Sequence, residues 1–404
     1  MKRIYTPTKK KTVLIIDNDE IVIQLYREKL GQQGLIVEVA DSRAGALGIL
    51  EQMPIELVLQ DLLLPATDGL ELLGEIRSRS DKLPIIAFAN PYLGKVVRAA
   101  TTAGASKVLS KAKNIPDEVI GLVRELMGMA GAVVDEEGSE RHLVGALLAH
   151  APSMLAKLRT GYLVFARDGE RDLHSSELQH MFAGLHAFAS AAGQLGFARI
   201  AQLASALEAL LMELRAKPNK ITPTVGRTLG QAIDTLAGLV DSEPHSPMDR
   251  SEPPKILVVD DETISRETIC SALGKANLVA ISVDDSLSAE RMLKEERFDL
   301  IFLDVEMPGR TGLELCASVR ENTANKATPA VFVTAHSDFG TQAQSVLSGG
   351  NDFIVKPFLL VELAVKALTW LYRKQQPPTA AESVAVRAEV NELRLANEHA
   401  VLNS

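Results

Sequence analysis

An internal repeat constrains this chain more than any other feature. The stretch "KTVLIIDNDEIVIQLYREKL" near the start resembles "PKILVVDDETISRETICSAL" at 254–273. Likewise "IELVLQDLLLPATDGLELLGEIR" resembles "FDLIFLDVEMPGRTGLELCASVR", which begins at Phe298. Asp17 and Asp61 lie 44 positions apart, as do Asp260 and Asp304. Further on, "LPIIAFAN" answers "TPAVFVTAH" and "GASKVLSKAK" answers "GNDFIVKPF". Two like halves therefore flank a different middle.

Each half alternates short apolar runs with longer amphipathic stretches. In the second half the runs are Ile256–Val259, Val279–Val283, Leu300–Leu303, Ala330–Val333 and Phe353–Val355. Short, nearly continuous apolar runs suit strands buried on both faces of a parallel sheet. Residues such as Ala289, Met292 and Leu293 fall at helical spacing between them. The alternation predicts a doubly wound α/β domain, which binds ligands outside the carboxyl ends of its strands.

The middle is rich in Ala and Leu and reads as a helical bundle. Its five candidate helical segments are "RHLVGALLAH", "PSMLAKLRTGYLVFARD", "SSELQHMFAGLHAFASAAGQLG", "FARIAQLASALEALLMELRA" and "TPTVGRTLGQAIDTLAGLV". Ser175 is a candidate N-cap, and Pro223 sits near the start of the last helix. "GAVVDEEGSE" and "DSEPHSPMDRSEPP" read as linkers. These divisions give domains at 11–128, 138–241 and 254–374, with a helical tail at 375–404. In the tail Val386, Val390, Leu393 and Asn397 form a narrow stripe, either a frayed helix or a dimerising or docking one.

Composition narrows the function. Net charge is -9 and aromatics are 4% of the chain, which disfavours nucleic-acid binding and stacking platforms. Two cysteines, Cys270 and Cys316, suit a reducing, cytoplasmic compartment. The apolar run "VLII" stops at Asp17, too short for a signal-peptide core, and no run is long enough to span a membrane.

The chemistry gathers at the strand tips of the second half. Strand one ends in Asp260 and Asp261, with Glu262 next, and strand three ends in Asp304. Carboxylates brought together repel one another, and a hard cation such as Mg²⁺ resolves the repulsion with a few carboxylates, water and a phosphate oxygen. Strand five ends at Lys356, a point charge for a phosphate, and strand four at Thr334, a hydroxyl able to donate to the same oxygens. The set suits phosphoryl acceptance, with Asp304 as the in-line nucleophile.

Across about 255–373 the second half resembles the receiver domain of bacterial response regulators, through "ILVVDDE", "LIFLDVEMPGRTGLEL", "VFVTA" and "VKPF". The resemblance implies a flavodoxin-like fold with Asp304 as phosphoacceptor. It implies Mg²⁺ held by Asp260, Asp261, Asp304 and the backbone carbonyl of Glu306. It also makes Thr334 and Phe353 the switch pair, Lys356 the phosphate-contacting lysine, and the Lys356–Pro357 bond cis.

The first half, about 11–128, resembles a receiver with departures. Asp17, Asp61 and Lys111 match, which makes Asp61 a second candidate phosphoacceptor and Asp17 with Asp61 candidate metal ligands. Asn18 replaces an acidic residue, although Asp19 follows. Ala89 replaces the switch hydroxyl, Val108 the aromatic and Ala112 the proline. A lost carboxylate weakens metal binding, and a lost hydroxyl uncouples phosphorylation from conformational change. A poorly switching receiver, serving as a docking module, is expected.

In the middle, the stretch from His186 resembles a histidine phosphotransfer (HPt) domain. His186, Phe188, Leu195, Gly196 and Glu208 fit its pattern, while Ala189 and Ser190 stand in for a Lys and a Gly. Small neighbours should leave the imidazole accessible to a docked partner, and a neutral ring nitrogen accepts a phosphoryl group. His180 is the rival, but it lacks the Leu-Gly pair.

The whole is expected to be a two-component phosphorelay protein, α/β plus all-α. Two doubly wound receivers would flank a phosphotransfer bundle. No Gly-rich ATP motif is present, so the phosphoryl group would come from a sensor histidine kinase or another phosphotransfer protein. Output would be binding to a downstream protein. The alternatives are a non-relay docking scaffold with an inert bundle and, last, an enzyme such as a cyclic-nucleotide synthase, for which no catalytic motif is seen.

Overall fold

The computed structural model describes residues 10–64, 68–129, 141–167, 171–242, 253–322, 324–335 and 348–373. The C-terminal stripe and nearly all of both linkers lie outside the described residues. In the first half, strands β1 (Thr12–Ile16), β2 (Ile36–Ala40), β3 (Leu57–Asp61), β4 (Ile85–Phe88) and β5 (Lys107–Leu109) form a parallel sheet in the order β2-β1-β3-β4-β5. Helices α1 (Glu20–Gln32), α2 (Arg43–Gln52), α3 (Gly69–Arg79), α4 (Gly94–Thr102) and α5 (Pro116–Leu126) cover it.

Alternate strand residues face opposite ways. Val13, Ile15, Leu57 and Leu59 bury against α1 and α5, whereas Leu14, Ile16 and Val58 bury against α2, α3 and α4. Burial on both faces is why these strands read as unbroken apolar runs. Their ends are set by short polar residues. Asp19 caps α1, accepting from the amides of Ile21 and Val22, and Ser42 caps α2.

The second half repeats this plan. Strands β6 (Ile256–Val259), β7 (Ala280–Val283), β8 (Leu300–Asp304), β9 (Ala330–Thr334) and β10 (Asp352–Val355) form a parallel sheet in the order β7-β6-β8-β9-β10. The edge strand β7 departs from the expected two-sided burial, with Ile281 41% exposed, because only β6 pairs with it. In both sheets the order reverses beside the first strand, so the carboxyl ends of the first and third strands are neighbours. Val259 pairs with Leu303, which sets Asp260 beside Asp304. Gly312 opens the helix after β8; a Cβ there would collide with the Asp304 carbonyl oxygen.

Between the halves lie α6 (Arg141–Arg167), α7 (Arg171–Gln194), α8 (Ala198–Ala216) and α9 (Pro223–Ser242). Two segmental expectations need correction. The first two expected segments form one helix, α6, with Pro152 inside it. The apolar stripe Leu143, Leu147, Ala151, Leu155, Leu158 stays buried through that point while Pro152 faces outward. Continuous packing thus outweighs the lost backbone hydrogen bond. Ser175 lies inside α7, which spans Arg171–Gln194, rather than ahead of it.

The chain divides into two compact units. One comprises Met1–Pro218 with Leu239–Asp249, and the other Asn219–Gly238 with Arg250–Ser404. The first unit thus holds the first sheet with α6, α7 and α8, and most of α9 belongs to the second. Among the described residues no helix is long and apolar enough to cross a membrane.

The last receiver helix, α10 to α12 having run from Thr263–Lys275, Ser286–Glu295 and Gly312–Asn322, is α13 (Leu360–Arg373). Its Lys366 pairs at 2.8 Å with Asp352 of β10, both fully buried at the side chain. Trp370 also donates to that carboxylate, at 3.1 Å. Removing one partner of such a pair leaves a bare buried charge. Lys366→Ala should therefore cost about 3–5 kcal/mol of stability in the second unit. Chemical denaturation would read this, and a loss below about 1 kcal/mol would contradict it.

Candidate functional site

In the second unit the expected residues converge. Asp260, Asp261 and Asp304 offer carboxylate oxygens that all lie within 4.8 Å of one another. Asp260 is fully buried, Asp304 nearly so, and Asp261 is exposed. Three hard oxygen donors at one open edge fit a divalent cation of the Mg²⁺ type. Lys356 places its ammonium 3.0 Å from Asp260 and 3.2 Å from Asp304. Ser265 donates to Asp260 at 2.5 Å, a contact the sequence reading did not anticipate.

Burial pushes the Asp304 carboxyl above its ordinary range; Lys356 opposes the shift and Asp260 adds to it. Burial works against the Lys356 charge, but its hydrogen bond to Asp260 and the charges of Asp304 and Asp260 hold its pKa above the usual value. Glu306 is exposed, and its amide, two residues beyond Asp304, donates to that carboxylate. Thr334 ends β9, buried, and its carbonyl accepts the Lys356 amide at 2.7 Å. The Lys356–Pro357 bond is cis.

The first unit holds a second, different cluster. Lys111 lies between Asp17, at 2.6 Å, and Asp61, with which it also pairs. Burial would discharge Lys111, yet the charges of Asp17, Asp61 and Asp19 hold its pKa well above normal. Asn18 points outward. Asp19 caps α1 through Oδ1, while its Oδ2 is buried without a hydrogen-bond partner and its charge acts on Lys111.

His186 lies against this cluster. Its Nε2 is 3.1 Å from Asp61 Oδ2, and its Nδ1 is 3.0 Å from Glu208 Oε1 on α8. The expectation of an accessible imidazole is corrected: its side chain is only 12% exposed, because the first receiver covers it. His180 has no such place. Burial alone would lower the His186 pKa, but the carboxylates of Asp61 and Glu208 raise it from 6.5 to about 10. Burial would likewise raise Asp61, but Lys111 and His186 hold it well below the ordinary carboxylate range.

Several joining residues escaped sequence reasoning. Asn90, after β4, donates to Glu208 Oε2 at 3.1 Å and to the Ser205 carbonyl at 2.8 Å. Gln194 donates to the carbonyls of Lys111 and Asn114, at 2.7 and 2.9 Å, and accepts from Tyr26 at 2.6 Å. At Gly193 a Cβ would collide with the Lys111 carbonyl, so only glycine lets α7 approach the receiver backbone this closely. The repeat held a signal for two of them. Tyr26 and Asn90 stand where the second copy has Ile269 and Ala335, polar groups in place of apolar ones.

Comparison with known proteins agrees with this architecture. The response regulator receiver domain family matches residues 13–121 and 256–368, and the Hpt domain family matches 142–238. The chain belongs to the response regulator receiver family, with two receiver domains flanking an Hpt domain.

It is 36% identical over 129 residues to the transcriptional regulatory protein ResD of Bacillus subtilis (strain 168), covering 32% of this chain and 52% of that protein. It is 33% identical over 146 residues to the transcriptional activator protein IrlR of Burkholderia pseudomallei (strain 1026b), covering 36% and 61%. The chain thus spans roughly half the length of these curated relatives. Among solved structures, the receiver domain of the Francisella response regulator 1452 is 25% identical, with a TM-score of 0.28, covering 30% of this chain and 99% of that one.

The raised His186 pKa has a defined sign. A protonated ring favours the seated arrangement, so its contribution is complete below about pH 6.5 and is lost as pH rises through about 10. Nitrogen-15 NMR of the full chain should place the His186 midpoint near 10. Asp61→Asn should lower it by about one unit or more. A wild-type midpoint near 6.5 would contradict the seating.

Proposed function

We propose that this chain is a two-component phosphorelay protein that takes a phosphoryl group on Asp304 and exchanges phosphoryl between His186 and Asp61 within one chain. The observation carrying this reading is the 3.1 Å approach of His186 Nε2 to Asp61 Oδ2 inside a single compact unit. Donors would be a sensor histidine kinase or a separate phosphotransfer protein, and output would be binding to a downstream protein.

At the second receiver, an Asp304 oxygen attacks the phosphorus of a donor phosphohistidine. The P–N bond breaks and its electron pair returns to the donor imidazole, leaving an acyl phosphate. Lys356, 3.2 Å from Asp304, spreads the charge on the phosphoryl oxygens. Thr334 supplies a hydroxyl to the same oxygens. Asp260, Asp261, Asp304 and the Glu306 carbonyl would hold Mg²⁺, which supplies charge neutralisation when bound.

In the first unit Glu208 holds the Nδ1–H of His186, so that Nε2 is the nitrogen aimed at Asp61. A hydrogen-bond distance leaves no room for a phosphorus atom, so imidazole and carboxylate must part to admit one. Lys111 then faces the incoming oxygens from Asp61's side. Asp17 and Asp61 remain the ligands a metal would use there, in competition with the Lys111 ammonium.

One observation favours the scaffold reading. Both His186 nitrogens contact carboxylates, and a doubly protonated ring has no lone pair to offer. The two readings separate on incubating the full chain with labelled acetyl phosphate and Mg²⁺. The relay reading predicts alkali-labile, hydroxylamine-sensitive label on Asp304 and acid-labile, alkali-stable label on His186. EDTA should cut the label on Asp304 about tenfold or more, and Asp304→Asn should remove that share while leaving any label on Asp61. His186→Gln should abolish the alkali-stable fraction; an unchanged distribution in that variant would establish the scaffold instead.

A further inference from the structure

A chain of hydrogen bonds crosses the seam between the first receiver and the helical bundle, inside one compact unit. It starts at Asn90, after β4, whose side-chain oxygen accepts the amide of Tyr92 at 3.0 Å. The Asn90 side-chain nitrogen donates to Glu208 Oε2 at 3.1 Å and to the Ser205 carbonyl at 2.8 Å. Glu208 Oε1 faces His186 Nδ1 at 3.0 Å, and His186 Nε2 returns the chain to the receiver at Asp61. Both Glu208 oxygens are thus committed, one to the receiver and one to the imidazole. Asn90 and Glu208 are both buried.

The repeat isolates what Asn90 adds. The second copy has Ala335 at this position, so the receiver fold does not need an amide there. In the first copy the amide spans the seam. We propose that Asn90 is a positioning residue for His186: by holding Glu208 from the receiver side it keeps that carboxylate on Nδ1, so the docked receiver completes the phosphoryl-transfer geometry of the histidine. This rests on the reading that His186 and Asp61 exchange phosphoryl.

The exchange needs a ring with one proton, carried on Nδ1. As imidazole and carboxylate part to admit phosphorus, the Nε2 proton leaves to solvent and the other stays on Nδ1, facing Glu208. The Nε2 lone pair attacks the phosphorus of the Asp61 acyl phosphate. The N–P bond forms, the P–O bond to Asp61 breaks, and the carboxylate leaves with the electron pair. The phosphorylated ring is positive, and the Glu208 carboxylate offsets that charge. Without Asn90, Glu208 Oε2 becomes a buried acceptor with no partner, and the carboxylate turns to find one. Turning takes Oε1 off Nδ1 and lets the single proton sit on Nε2, where it blocks attack. A water in place of the amide satisfies Oε2 without fixing it, whereas Asn90 is itself held by the Tyr92 amide.

The full chain carrying Asp304→Asn, which confines receiver label to Asp61, tests this with Mg²⁺ and labelled acetyl phosphate. The phosphoryl group passes to an Asp61 oxygen as acetate leaves with the electron pair. The rate at which alkali-stable label appears on His186 is then scored per unit of label on Asp61. Asn90→Ala, which installs the residue of the second copy, should slow this transfer about tenfold or more. Added to Glu208→Ala, it should slow transfer by less than about twofold further, because both act through one carboxylate. The Nδ1 proton of His186, followed by nitrogen-15 NMR, should exchange with water about tenfold faster in Asn90→Ala, while amide protection across 189–195 at the seam stays unchanged.

Transfer as fast in Asn90→Ala as in its parent would overturn the proposal and leave the exchange reading standing, as would an unchanged Nδ1 proton. Equal slowing with and without Glu208 would give Asn90 only the clamp on the Ser205 carbonyl of α8, and lost protection across 189–195 would make it a docking contact. Either result also overturns the positioning role. A parent chain that leaves Asp61 unlabelled, or labels it and passes nothing to His186, would defeat the exchange reading and this role with it.

Discussion

A carboxylate at the buried tip of a central strand needs a cation, and each half of this protein meets that need in its own way. In the second receiver Asp304 has Lys356 at 3.2 Å and the oxygens of Asp260 and Asp261 close by, at an edge where Asp261 is open to solvent. In the first receiver Asp61 has Lys111 on one side and the imidazole of His186 on the other. Asn18 is turned outward, and the His186 imidazole supplies a second positive partner that Asp304 lacks.

That difference explains why α6, α7 and α8 share a compact unit with the first receiver. His186 joins the Asp61 cluster, Gln194 bonds the backbone beside Lys111, and Gly193 permits the close approach. Asn90 and Glu208 extend the polar network across the same seam. Buried charges of this kind are costly unless every group is paired. Each member therefore constrains the others, and the departures from the receiver pattern in the first half belong to one docked arrangement.

Much of this was legible in the residues. The repeated 44-residue spacing announced two equal sheets, and the apolar runs located nearly every strand. The gathering of Asp260, Asp304 and Lys356 followed from strand order alone. What escaped depended on tertiary packing. Pro152 reads as a break, yet the buried stripe of α6 continues across it. His186 reads as open because its helical neighbours are small, whereas those small residues admit the receiver itself. Helix α9 has the periodicity of a bundle helix, but periodicity cannot tell which core it covers. Its residues 219–238 go with the second unit.

The central claim is that His186 and Asp61 meet within one chain. The most direct measurement is the rate of phosphoryl exchange between these two residues as protein concentration is varied widely. An intramolecular pair gives a rate independent of concentration, because docking supplies the partner at fixed effective molarity. A rate rising in proportion to concentration would mean that the two residues meet only between molecules, and would contradict the account.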